Sequence, residues 1–238
     1  MERSGEGMIL QRRPHGENAA VITLFTLEHG RLSGLVKGGS KKLAELQEGN
    51  VVEFNHRRRL ESQLGSMTVH VSARPAAGAY HSLARLQALR YQCELLGLLL
   101  AEESPQPKLY DRTLEAMRQL AEPGLWQRLA FWELDVLSAV GFGLSLHPQD
   151  AVIDNQNSPL YYVSPKSGRA VSQAMGAPYR DRLLLLPQLF GGQEGGFLDV
   201  FRLTGHFLDH ALAEQAPRRQ LTTRQPLLEL GSAGGFIE

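Results

Sequence analysis

Between Gly7 and Arg59, short β-branched runs alternate with glycine- and lysine-rich breaks. Residues 19–27 and 32–36 flank Glu28-His29-Gly30-Arg31. Thr, Val and Ile joined by a Gly-containing connection of that length predict a β-hairpin with Gly30 at positive φ. The second strand runs into Lys37-Gly38-Gly39-Ser40-Lys41-Lys42, read as a flexible basic loop. Met8-Ile9-Leu10 opens an earlier strand that ends before Pro14. Val51-Val52-Glu53-Phe54 starts a fourth, running into Arg57-Arg58-Arg59, and Met67-Thr68-Val69-His70-Val71 supplies a fifth. Five short strands suit a small closed barrel of the OB type, and an SH3-like barrel fits nearly as well on strand count.

At Arg74-Pro75-Ala76-Ala77-Gly78 the hydrophobic period changes. Leu83, Leu86, Leu89, Cys93, Leu96 and Leu100 recur at three- and four-residue steps, one apolar helix face. Ser104 before Pro105 predicts the cap of a second helix to about Ala121. Pro123 precedes a third, striped by Leu125, Leu129, Trp132, Val136 and Val140 and ended at Gly141-Phe142-Gly143; Trp132 is expected in the core and Trp126 partly exposed. Residues 144–178 lose helical period, with a small hairpin expected at Tyr161-Tyr162-Val163. A last helix carries Phe197, Phe201, Thr204, Leu208 and Leu212 and stops at Pro217. The expected fold is therefore α+β: an N-terminal OB-fold β-barrel over 1–76, then a mainly α-helical domain over 77–238.

Formal charge is zero over the 238 residues, yet it is unevenly placed. Residues 1–75 hold 11 Lys and Arg against 8 Asp and Glu, and within 31–59 the balance is 7 against 3. A cationic excess confined to one barrel points to a polyanionic partner. Cys93 is the single cysteine, so an intrachain disulfide and a cysteine-rich zinc site are both excluded. The start MERSGEGMIL lacks the pattern of a signal peptide, and no apolar run is long enough to cross a bilayer. A soluble cytoplasmic protein is expected, with no membrane partner.

Three motifs invite catalytic readings and fail them. Gly34-Leu35-Val36-Lys37-Gly38-Gly39-Ser40-Lys41 echoes a phosphate-binding P-loop, but Ser precedes Lys and no long apolar helix follows. His206 and His210 stand at i, i+4, with Phe207 where a metalloprotease has its Glu. Cys93 lies on an apolar stripe and reads as a small core residue. No catalytic residue and no cofactor are expected. Arg57 and Arg59 should share one strand face, with Arg58 on the other. Only Phe25 and Phe54 are aromatic before Tyr80, whereas base-stacking single-strand binders use several such platforms. The grip on nucleic acid should then be electrostatic, sequence-tolerant and salt-labile.

Gly7-Met8-Ile9-Leu10, the run from Thr26 through Gly30-Arg31-Leu32-Ser33-Gly34 to Gly38, Gly141-Phe142-Gly143 and the run from Tyr162 through Ser167-Gly168-Arg169 to Ala170 occur in this order along the chain. Together they resemble the RecO family of bacterial recombination mediators. The resemblance implies an OB-fold followed by a helical domain, binding of single- and double-stranded DNA, strand annealing, and work with RecR and the tail of single-stranded-DNA-binding protein. Carried over by position, the DNA-contact candidates are Arg31, Lys37, Lys41 and Lys42, to which Arg57 and Arg59 are added on physical grounds. Many relatives hold zinc between two Cys-x-x-Cys pairs, where this chain has Asp150 with Ile153 and Ser172 with Met175. Those side chains cannot replace four thiolates, so no metal is expected and the insertion at about 144–178 is expected to be zinc-free. The competing reading is a protein-docking OB module without significant DNA binding.

Overall fold

The computed structural model describes residues 1–60, 63–155 and 158–234, the side chains at 40 and 41 excepted. The chain divides into two compact units, Met1–Leu125 with Leu221–Leu227, and Trp126–Gln220 with the chain from Leu228. The period change near 76 thus marks the end of the barrel, while the compact division falls at 125, because the first helices pack onto the barrel.

In the first unit, β1 (Glu2–Pro14), β2 (Ala19–Thr26), β3 (Gly30–Lys37), β4 (Val51–Arg57) and β5 (Ser66–Ala73) close a barrel in the order β1-β2-β3-β5-β4, with β3 and β5 parallel and the other pairs antiparallel. This is the OB-like arrangement. β1 begins earlier than its apolar core implies, since Glu2 to Glu6 pair with β4 and need no inward side chain there. Alternation does the sorting: Ile9, Ile22, Leu24, Leu32, Val36, Val52, Phe54, Met67 and Val69 fill the interior. Gly34 sits where a Cβ would fall 2.8 Å from Met67 Cβ, so the close approach of strands requires glycine.

The β2–β3 hairpin turns through residues 27–29, with Gly30 at φ 67 as expected. Thr26 Oγ1 donates to the Gly30 carbonyl at 2.8 Å and accepts from His29 N at 3.0 Å, closing the turn. The basic loop is more ordered than its composition implies. It forms a short helix, α1 (Ser40–Ala44), anchored by Leu43 and Leu46 in the barrel core. Burying two leucines contributes about 3–6 kcal/mol, ample to order five residues of loop.

α2 (Leu83–Leu99) and α3 (Pro107–Arg118) cover the outside of β1 and β2. Phe25 and Tyr110 meet edge to face at 5.3 Å, and Met8 and Leu10 are sealed from water. α2 buries Ala88, Tyr91, Gln92 and Leu95 as well as Leu89, Cys93 and Leu96 of the expected stripe, but Leu86 is half-buried and Leu83 is 66 % exposed. α3 starts at Pro107 behind Gln106, two residues later than Ser104-Pro105 predicts. The Ser104 backbone is committed elsewhere: it lies so close to Gly30 that a Cβ there would be 2.6 Å from Ser104 N.

The second unit contains α4 (Leu125–Ala139, from its second residue), β6 (Leu160–Val163), β7 (Ala170–Ser172), α5 (Gln173–Gly176), β8 (Leu184–Leu185) and α6 (Phe197–Gln215), while α7 (Arg224–Gly234) straddles the division. The irregular stretch supplies β6 and β7, the expected hairpin, and β8 beyond it completes a sheet in the order β7-β6-β8. Trp126, expected to be partly exposed, is only 8 % exposed because its ring meets Phe197 edge to face at 5.2 Å.

Candidate nucleic-acid interface

Since α2 and α3 cover β1 and β2 around Met8, Leu10 and Phe25, the outer face of β3, β5 and β4 and the far end of β1 remain for solvent. Arg31, Ser33, Leu35 and Lys37 alternate outward along β3, and Glu53, Asn55 and Arg57 do so along β4. Register places Arg57 beside Ser66, and Ser66 beside Leu35. Two inter-strand spacings separate Arg57 from Leu35, about 10 Å, with Lys37 two residues farther along β3. On the other side, Arg13 pairs with Val21, and Val21 with Leu35. Arg13, Lys37 and Arg57, all exposed, therefore stand along one continuous outward belt.

Lys42, also exposed, projects from α1 beyond the end of β3, and its stem lies over Gly38; a Cβ on Gly38 would fall 2.9 Å from Lys42 Cδ. Gly38 thus lets the lysine stem lie flat. Arg12 donates Nη1 to the Leu43 carbonyl at 2.8 Å and ties β1 to α1. The Lys41 side chain lies outside the described residues. Arg12 and Arg13 were not singled out by sequence reasoning: what brings them to the loop is strand register, which spacing does not encode.

Arg3, Arg31 and Arg58 are spent on the fold. Arg31 has a side chain 17 % exposed; its Nε donates to the Leu100 carbonyl at 2.8 Å and its Nη2 lies 3.4 Å from Glu102 Oε1. It is drawn out of the candidate interface. Glu103 bridges Arg3 and Arg58, each at 2.5 Å, and sits in the left-handed region at φ 58. The Arg3 hydrogen bond, with Arg58 behind it, holds the Glu103 carboxyl below the usual range. Arg58 is 8 % exposed, and its Nε is buried without a partner. Arg57 donates Nε and Nη2 to Glu2 Oε1 at 3.0 and 2.9 Å, but both side chains stay open to water. Arg57 and Arg59 are exposed while Arg58 turns in; β4 ends at Arg57, so the exposure of Arg59 comes from the bend that follows and not from strand alternation.

Beside these residues lies a concavity of about 720 Å³, lined by the start of β1, by Arg57, Arg58 and Arg59, and by Gln63, Gly65 and Ser66. The second unit has its own, smaller pocket of about 250 Å³, in which Leu183, Leu184, Leu185 and Leu203 meet Arg180 and Arg202.

The other candidates have structural explanations. α1, at five residues, is not the long helix of a P-loop. Burial pushes the Cys93 thiol well above its ordinary pKa, and its Sγ faces the Ile9 carbonyl at 3.8 Å. The His206 and His210 rings lie 4.5 Å apart, and among the described residues no group of three metal-ligating side chains forms. At two of the positions singled out by the resemblance, Ser172 donates to Asp154 at 2.7 Å and accepts from Met175 N at 3.4 Å, capping α5. Met175 is 44 % exposed. This set of groups does not fit a zinc ion.

Two family models match: Recombination protein O N terminal over residues 1–75 and Recombination protein O C terminal over residues 80–220. The chain belongs to the RecO family. A DNA repair protein RecO of Rhodospirillum rubrum is 39 % identical over 96 % of both chains. Those of Rhodospirillum centenum and Paracoccus denitrificans are each 41 % identical, over 89 % and 90 % of this chain and 87 % and 89 % of theirs. The RecO resemblance read from the four motifs therefore holds over nearly the whole length, and the OB-like barrel coincides with the N-terminal family segment.

Proposed function

We propose that this RecO family member is a non-catalytic recombination mediator that binds single- and double-stranded DNA and anneals complementary strands in the cytoplasm. The observation that carries the reading is the outward belt of Arg13, Lys37 and Arg57, extended by Lys42 and Arg59 and left uncovered by α2 and α3. Its cations neutralise phosphate repulsion between two strands. With no Phe, Tyr or Trp on that face among the described residues, bases stay free to pair. Lys37 and Lys42 are assigned as direct phosphate contacts, Arg57 and Arg59 as further ones, and Lys41 by its place between them. Arg31 is assigned instead to holding the barrel to the segment after α2.

In the same reading, RecR assists in loading recombinase on coated DNA, and the second-unit pocket takes the acidic, apolar-tipped tail of single-stranded-DNA-binding protein. Four leucines and Tyr162 offer an apolar seat, and an acidic tail would displace Asp199 from Arg202, an ion pair at 3.4 Å with the arginine largely in water. The test is the Lys37→Glu, Lys42→Glu double variant, titrated with single strands and duplex at low salt. Affinity should fall at least about tenfold for both, since two attractive contacts become repulsive. Unchanged affinity would sink the reading in favour of a protein-docking barrel.

A further inference from the structure

Ser66 and Arg57 belong both to the outward belt and to the lining of the 720 Å³ concavity, so a strand lying on the belt leads into it. We propose that this concavity is a site for a terminal phosphomonoester of a nucleic-acid strand. The proposal rests on the DNA-binding reading and assigns the strand end to a place of its own.

Three observations carry it. Arg57 and Arg59 are exposed beside the concavity, and Arg58 lines it while only 8 % exposed, with its Nε N–H buried and unpartnered. Arg58 adds a third guanidinium to the lining, held in place by Glu103. Second, the anion now on Arg57 is easily exchanged. Glu2 and Arg57 are 52 % and 68 % exposed, and an ion pair that open to water contributes little. Glu2 thus stands as an internal substitute for phosphate: one carboxylate oxygen accepting two guanidinium N–H groups. Third, the depression is open to solvent, so a strand can stay on the belt while its end enters. A terminal monoester carries up to two charges where an internal diester carries one, and it presents three acceptor oxygens to a set of guanidinium donors.

The test measures binding of the full chain to a short oligothymidylate ending in a 5′-phosphate, in a 3′-phosphate, or in hydroxyls only. One phosphorylated form should bind about tenfold tighter than the hydroxyl-ended one, the value of one added charge-assisted contact; which form does so identifies the end. Arg57→Gln with Arg59→Gln should abolish the preference, so that the phosphorylated and hydroxyl-ended oligonucleotides bind alike, at a common affinity lowered by the loss of two general phosphate contacts. Glu2→Gln should enlarge the preference, whereas Glu53→Gln, an equal charge change elsewhere on β4, should not. Inorganic phosphate should erase the preference before it displaces the strand. Equal binding of all three oligonucleotides by the unmodified chain overturns the proposal and leaves the DNA-binding reading standing. Binding of none overturns both.

Discussion

Gly30 answers two demands that no other residue meets. Its φ of 67 closes the hairpin, and its missing side chain lets Ser104 approach until a Cβ would lie 2.3 Å from a backbone oxygen. Gly30→Ala should therefore cost at least about 3 kcal/mol, read as a lower urea midpoint with an unchanged slope. A midpoint shift under a third of that would contradict the packing described. The turn conformation was legible in the sequence, because a hairpin of that length needs a left-handed residue; the contact with Ser104 was not. The same division separates the arginines. Arg31, Arg57 and Arg58 look alike in a charge count, yet Arg31 and Arg58 are held by Glu102 and Glu103 while Arg57 stays in water. Arg58→Ala should cost about 2–3 kcal/mol in thermal unfolding, and Arg57→Ala at most about 0.5–1 kcal/mol.

At the level of elements, periodicity located every strand of the barrel and the long helices, because one face of each is buried and the pattern records it. It missed where a tertiary contact outbids a local signal. Ser104-Pro105 has the chemistry of a helix start, but residues 102–104 lie against the end of β3, and α3 begins only at Gln106-Pro107. A second such contact is Glu94 on α2. It accepts from the backbone N–H and hydroxyl of both Thr222 and Thr223, pinning the segment that leads into α7. Partial burial pushes its carboxyl up, but these hydrogen bonds outweigh that and hold it below its ordinary value. Glu103 is depressed as well, by Arg3 and Arg58. A depressed folded-state carboxyl contributes stability that is present above the unfolded value and lost as pH falls through the folded one. The melting temperature should hold from neutral pH to about 5 and fall as pH drops below about 4.3. Glu94→Gln should flatten that acid limb while lowering neutral stability by about 1 kcal/mol, a figure reduced for partial exposure. An acid limb of the same depth in the variant would mean that the Thr222–Thr223 contact is not what titrates.

Over the whole molecule, charge sums to zero, and the proposed grip on DNA depends on which cations remain available after folding. Arg3, Arg31 and Arg58 are engaged with Glu102 and Glu103, so their contribution is to stability, whereas Lys37, Lys42, Arg13, Arg57 and Arg59 face solvent. Counterion release turns that partition into a number. Each phosphate contact adds about 0.7 to the slope of log affinity against log salt for single strands and about 0.9 for duplex. Charge-neutral variants of the exposed group, Lys37→Gln, Lys42→Gln or Arg57→Gln, should each reduce the slope by about that amount and lower affinity on every sequence alike. Arg31→Gln should leave the slope in place and lower the melting temperature instead. The two classes of variant therefore separate on two axes, salt slope and thermal stability. If Arg31→Gln reduced the slope as much as Lys37→Gln, with no loss of stability, the division between arginines that bind and arginines that brace would be wrong. The belt would then have to extend to the hairpin end of β3.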